Sequence, residues 1–356
     1  MVLKSHEKNV MGVIELSSSI KTPRDPQHPR EDQLVSIVLP MFNDQDTVAT
    51  SLRSLLNQSH KKIEIIVVDD GSTDRSAVIV SDLLKSNSEL KMVSIQHGGT
   101  SKAKNAGFAY SKGDTILFAE GDALYAEDYV KKALEALSGD SKVGAVCVLG
   151  RPWRRRDTFV TRCIDAEQII IHKMIELGQK KPYYAWVFTR RALERAGLYD
   201  DSLTQAEDKD LFERVKKAGF EVALVSGVHW GHGRSETTWE FISKCYDKGK
   251  RRIFYIAKNS LEFEFLKGVI LLWAIVAVVP LALFRVVPDF VLVSLVAVGS
   301  IYRYYMVLSV GLKTTASMRI LLALPVFQLL RYLSNAIGYS VGVFLLFRRR
   351  NPNASP

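Results

Sequence analysis

The sequence predicts an α/β domain with a largely parallel sheet, followed by an apolar C-terminal region. Short apolar runs alternate with stretches of helical periodicity between residues 34 and 226, the pattern of successive βα units. Beyond about residue 260 the chain turns apolar in three blocks, long enough to suggest membrane spans. The average of 47% hydrophobic residues hides this asymmetry, so the chain reads as part globular domain and part membrane segment.

Residues 1–33 end in TPRDPQHPREDQ, rich in proline and charge, and read as a flexible leader. The predicted α/β domain covers 34–236. It begins with strand LVSIVLP at 34–40, and Val48, Leu52, Leu55 and Leu56 then fall at helical spacing. IEIIVV at 63–68 is a buried strand, followed by a helix over 74–85 and a strand at 91–96. A helix over about 100–111, strand TILFA at 115–119, a helix over about 127–138 and strand VGAVCVL at 143–149 come next. Residues 157–178 and 189–196 read as helices with Tyr183 to Phe188 extended between them. A helix over 206–219 closes at Gly219, and EVALV at 222–226 is a late strand.

The segment 237–265 holds a basic amphipathic helix suited to lying on a bilayer. The region 266–347 is expected to cross the membrane in two to four helical segments, and 348–356 is a basic tail. Its apolar blocks are 266–284, 290–310 and 320–347, the last carrying Arg331 and Asn335. Basic flanks put the start of the first block and the end of the second in the cytosol. Arg348 to Arg350 then conflict with a simple third span, so the last block is a re-entrant or interfacial hairpin, or the charge rule fails here.

The net charge of +10 is compatible with nucleic acid, anionic lipid or phosphate-bearing substrates. Its basic residues are not interleaved with stacking aromatics, which argues against nucleic acid. Lys248, Lys250, Arg251, Arg252, Lys258, Lys267 and Arg348 to Arg350 lie near the apolar blocks, which points to a membrane surface. Cys147, Cys163 and Cys245 form neither a disulfide framework nor a zinc pattern. No convincing signal peptide is present, so the globular domain is expected on the cytosolic side. The fingerprints of dinucleotide-binding and P-loop enzymes are absent from the sequence.

Ligands of open α/β sheets bind beyond the carboxyl ends of the strands. Pro40, Phe42, Asn43 and Asp44 follow the first strand, and Asp69-Asp70-Gly-Ser-Thr-Asp74 the second. His97, Gly98 and Gly99 follow the third strand, and Glu120-Gly121-Asp122 the fourth. Asp70 to Asp74 also suits a plain turn and helix cap. Glu120 and Asp122, at i and i+2 in extended backbone, project to one side and can share a hard divalent cation.

Together VSIVLPMFND, IIVVDDGSTD, GTSKAKNAG, ILFAEGD and AEDKDLFERVKKAGF resemble, in order and spacing, the family 2 glycosyltransferases of GT-A fold, over roughly residues 34–250. The resemblance implies a Rossmann-like, mostly parallel sheet, inverting sugar transfer from a nucleotide-diphospho-sugar, and a Mg²⁺ or Mn²⁺ ion. It implies that Pro40, Asn43 and Asp44 form the first nucleotide loop. Asp70 would accept a hydrogen bond from the base with Asp69 beside it, and Lys104 and Asn105 would lie near the nucleotide-sugar. Glu120 and Asp122 fall on the D-x-D metal motif, where Glu120 departs from the usual aspartate and puts metal affinity or choice in question. Asp208 matches the catalytic base, a role that the first turn of a helix suits because it favours an ionised carboxylate. His232, or His229, could complete the metal site, as happens in some GT-A enzymes, or be a loop histidine. Trp230, Trp239 and Tyr246 could touch an acceptor or simply pack.

The Q-x-x-R-W string of processive polysaccharide synthases has its nearest match at Gln328-Leu-Leu-Arg331-Tyr332, inside the third apolar block. That placement favours transfer of a single sugar to a membrane-associated acceptor: a polyprenyl phosphate, a lipid-linked glycan or a glycolipid. The rivals are a processive synthase and a catalytically silent membrane scaffold.

Overall fold

The computed structural model describes residues 20–21, 32–151, 156–203, 205–232, 235–259 and 317–350. The strands are β1 (Ile20–Lys21), β2 (Val35–Met41), β3 (Ile63–Asp69), β4 (Leu90–Ser94), β5 (Thr115–Phe118), β6 (Ala123–Tyr125), β7 (Val143–Arg151), β8 (Val187–Thr189) and β9 (Glu221–His232). Among the described residues the sheet runs β1-β9-β7-β8-β5-β2-β3-β4, and β6 pairs with β9. β4, β3, β2 and β5 are mutually parallel, so their carboxyl ends share one edge. β8 is antiparallel to both β5 and β7. The segment expected to be a flexible leader contributes β1, which pairs with Val222 and Ala223 of β9.

β2 shows why the strands read as continuous apolar runs. Ile37 and Leu39 enter one core layer, with α1 (Val48–Leu56), α2 (Ser76–Leu84) and α4 (Tyr129–Ser138). Val38 enters the opposite layer, with α3 (Thr100–Tyr110), α6 (Arg190–Ala196) and α7 (Glu207–Lys217). A strand covered on both faces has no polar side to present.

A third apolar cluster joins the C-terminal helices to the domain. Val160, Cys163, Ala166 and Ile170 of α5 (Phe159–Glu176) meet Phe241 and Cys245 of α8 (Thr238–Asn259). Ile320, Leu321, Leu324 and Phe327 of α9 (Met318–Arg350) complete it. α8 and α9 touch backbone to backbone: a Cβ on Gly249 would stand 2.2 Å from Asn335 O, and one on Gly338 2.1 Å from Tyr246 O. Only glycine fits such a crossing. The three cysteines are buried and free.

One expectation changes here. The third apolar block is no hairpin, because α9 runs unbroken through Pro325 to Arg350. α9 covers one face of α8, and Lys244, Lys248 and Arg252, spaced to share another, line a cavity while Lys244 and Lys248 stay exposed. Among the described residues one helix, Met318–Leu345, is long and apolar enough to cross a membrane. The blocks 266–284 and 290–310 lie outside the described residues.

Candidate active site

The β2 and β3 loops are knitted together at the carboxyl edge. Asn43 adopts a left-handed φ of 56°, which asparagine tolerates, and its Oδ1 accepts from Thr73 N at 2.8 Å. Asp44 N donates to Ser76 Oγ at 2.8 Å, and Asp69 Oδ1 accepts from Ser72 N at 3.0 Å. Pro40 sits in β2 in register with Val68. Asp70 is buried and serves the β4–α3 loop: its two carboxylate oxygens accept from Gly98 N at 2.8 Å and Gly99 N at 2.9 Å. His97 from the same loop contacts Asp70 at 3.0 Å and stacks on Phe42 with centroids 4.3 Å apart. An exposed aromatic pair therefore stands beside these loops.

The Glu120-Gly121-Asp122 loop closes on this construction. A Cβ on Gly121 would stand 2.8 Å from Asp44 Oδ2, so only glycine lets the two loops meet. Burial first, then the like charges of Asp122, Asp74 and Glu120, raise the Asp44 pKa to about 6. His232 pairs through its backbone with Ala123, next to Asp122.

On the other side α7 begins at Ala206, held at a left-handed φ of 64° that is unusual for alanine. That turn sets Asp208 in the first helical turn. Its Oδ1 accepts from Lys104 Nζ at 2.8 Å and from Tyr199 OH at 3.1 Å. Lys104 is only 2% exposed. Burial works against its charge, but Asp208 and Glu207 outweigh burial and raise its pKa. Glu207 is itself pushed up, by burial and then by Asp208. Asn105 parts company with Lys104: its amide clasps Tyr199 N, Tyr199 O and Asp201 Oδ1 at 2.7–3.0 Å. Lys104 also meets Tyr199, its Nζ lying 4.5 Å from the ring centre.

Glu120, Asp122, Glu207 and Asp208 line a single cavity of about 600 Å³. Its far wall comes from elements that sequence reasoning did not assign to the site: His172 and Gln168 of α5, Tyr184, Trp186, and residues of α8 and α9. His172 is fixed by Gly150 O at 2.9 Å and Tyr184 OH at 3.0 Å. Arg331 of α9 pairs with Glu167 of α5 and lies 5.1 Å from the Phe241 ring centre. The charge of Arg331 inside an apolar block was the available signal for a special role. Trp239 packs on nothing comparable and is 77% exposed.

Residues 36–186 match the family described as "Glycosyl transferase family 2". Over these residues the chain is similar to family 2 glycosyltransferases. The chain is 28% identical over 264 residues to "Probable glycosyltransferase YdaM" of Bacillus subtilis (strain 168), covering 65% of this chain and 63% of the relative. It is 30% identical over 189 residues to "Uncharacterized glycosyltransferase EpsJ" of the same organism, covering 49% of this chain and 54% of that relative. It thus spans less than two thirds of either relative's length. Among solved structures, the mannosyltransferase PcManGT from Pyrobaculum calidifontis, in complex with GDP-Man and Mn²⁺, superposes with a TM-score of 0.60 and 17% identity, covering 89% of each chain. The chain therefore has the GT-A fold with a mostly parallel sheet.

The residues of this edge suit a divalent cation by donor chemistry, since Asp44, Glu120 and Asp122 bring hard oxygens of one sign together. Among the described residues no three carboxylate, imidazole or thiol groups stand close enough to cage an ion. That suits a metal held by one or two carboxylates and completed by substrate phosphates.

Proposed function

We propose that this protein is an inverting glycosyltransferase that moves one sugar from a nucleotide-diphospho-sugar to a membrane-associated acceptor. The observation that carries the reading is Asp208 opening into the same cavity as Glu120 and Asp122. The donor's nucleotide would lie over the Asn43–Asp44 and Asp69–Asp70 loops, beside the Phe42–His97 pair. Asp122, with Glu120 beside it and His232 as a further candidate, would hold Mg²⁺ or Mn²⁺, which when bound neutralises a leaving diphosphate.

The chemistry assigned to the chain is proton transfer and positioning. An acceptor hydroxyl near Asp208 attacks the anomeric carbon from the face opposite the diphosphate. The bond from that carbon to the diphosphate oxygen breaks, its electrons leave with the nucleotide, and Asp208 takes the hydroxyl proton. Lys104 and Tyr199 on Oδ1 fix the carboxylate's orientation, leaving Oδ2 as the basic atom. Were the acceptor an ionised lipid phosphate, Asp208 would orient rather than deprotonate.

Membrane association is supported by the apolar length of α9 and by its exposed Met318, Leu322, Val326 and Leu329. Exposed Phe159 and Trp239 at the starts of α5 and α8 extend this apolar surface, and tryptophan is favoured at interfaces. We place the catalytic domain on the cytosolic side, where the donor would be drawn.

Asp208→Asn keeps shape and removes basicity. Transfer to a hydroxyl acceptor should fall by roughly 10²–10⁴-fold, with donor affinity nearly unchanged. Membranes carrying the full chain, a panel of nucleotide-sugars and mass spectrometry of the lipid products provide the assay. Wild-type turnover by the variant on a hydroxyl acceptor would refute the base. One observation favours a second reading: Arg331, from the string nearest to that of processive synthases, reaches this cavity. Product length separates the two, since a ladder means polymerisation and a single added sugar means single transfer.

A further inference from the structure

The cavity has two walls of opposite chemistry. The sheet edge and α7 contribute Glu120, Asp122, Glu207 and Asp208, with Lys209 of α7 beside them. The opposite wall contributes Lys244, Lys248 and Arg252 from α8 and Arg331 from α9. The three α8 cations are spaced i, i+4 and i+8, so they form one stripe on one helical face. The glycine-tight crossing of α9 holds that face against the cavity. Lys244 also meets Glu240 at 2.9 Å, and Arg331 is anchored by Glu167. Lys244 and Lys248 are exposed and Arg252 is partly buried, so the stripe is open to an anion that enters the cavity.

We propose that this stripe is an acceptor subsite for a phosphate or diphosphate group, held by Lys244, Lys248, Arg252 and Arg331. This deepens the glycosyl-transfer reading and rests on it. The anion is a handle and the reacting atom is a separate hydroxyl, because the cations stand on the wall opposite Asp208. The tyrosines and tryptophan of the same cavity, Tyr183, Tyr184 and Trp186, suit the sugar face between handle and hydroxyl. The donor's diphosphate is the competing occupant, but the motif residues that serve it all lie on the other wall.

The test uses the full chain in detergent, saturated with nucleoside diphosphate and Mn²⁺ so that the donor site is filled. Calorimetry then follows inorganic pyrophosphate, geranylgeranyl diphosphate and geranylgeraniol. Both diphosphates should bind and the alcohol should not. Tighter binding of the prenyl diphosphate than of pyrophosphate assigns the handle to a lipid; equal binding assigns it to a water-soluble phosphate. Lys248→Gln with Arg252→Gln should weaken pyrophosphate by about tenfold or more, as expected for lost charge-assisted hydrogen bonds. Arg251→Gln, on α8 but outside the cavity lining, should change it less than about twofold. The proposal is overturned if neither diphosphate binds the saturated protein, or if Arg251→Gln matches the double variant. It is also overturned if the double variant loses nucleoside diphosphate instead, since the stripe would then serve the donor. Failure of the untouched protein to bind any nucleoside diphosphate would sink the glycosyl-transfer reading itself, a separate result.

Discussion

Two carboxylates at opposite ends of the same sheet live in contrasting surroundings. Glu64, at the start of β3, is buried, and burial alone would raise its pKa. Hydrogen bonds from Lys91 Nζ at 2.9 Å, Ser36 Oγ at 2.7 Å and Lys112 N at 2.6 Å outweigh that and lower it. Asp44, just past β2, is pushed up to about 6 by burial and by Asp122, Asp74 and Glu120. One end of the sheet settles its charges internally, and the other sets like charges against each other. Stability alone does not favour the second arrangement, so a conflict of this kind marks the end of the sheet that awaits a ligand.

The largest effect should come from breaking the strained end at its centre. Asp122→Ala should lower sugar transfer by about 10³-fold or more, because a leaving diphosphate would lose its positive partner. Glu120→Asp should retain activity. Full activity of Asp122→Ala in EDTA would end the metal assignment. Next in size is the support of the base. Lys104→Met should lower kcat by roughly 10–100-fold while the donor KM stays put, and Lys104→Arg should recover part of the loss. A rise in donor KM with kcat intact would return Lys104 to the nucleotide.

The smallest effects separate the two ends by pH. The folded state raises the Asp44 pKa, so its contribution to stability is present below about pH 4 and is lost as pH rises through about 6. Asp44→Asn should therefore stabilise the free protein at pH 8, by about 1 kcal/mol after solvent screening, and do little at pH 4. Glu64 behaves in the opposite way: its lowered pKa gives stability above about pH 4.5 that is lost as pH falls through the folded value. Glu64→Gln should destabilise at pH 7 and become neutral in acid. Thermal melts of both variants across this range provide the check. With Mn²⁺ and nucleoside diphosphate added, the gain from Asp44→Asn should vanish; a gain that persists would detach Asp44 from ligand binding.

The sheet edge was legible because each motif lies directly after its own strand. A short apolar run followed by Asp70 or Asp122 carries its address within a few residues. The far wall was not legible, since Glu167 and Arg331 meet across 164 positions and Glu167 lies in no recognisable string. The basic spacing of α8 was visible, but its direction was not. An i, i+4 stripe reads the same facing lipid or lining a cavity, and the sequence did not show that it borders the cavity of Glu120 and Asp208.

Among the described residues, the helix long and apolar enough to cross a membrane also lines the cavity of the proposed site, through Arg331 and Asn335. On the proposed reading, address and substrate choice would be written in one stretch of polypeptide. Trimming the chain after Asn259 to obtain a freely soluble enzyme would leave every signature motif intact and remove the ceiling. A lineage that changed this helix to suit a different bilayer would redraw its list of acceptors in the same stroke.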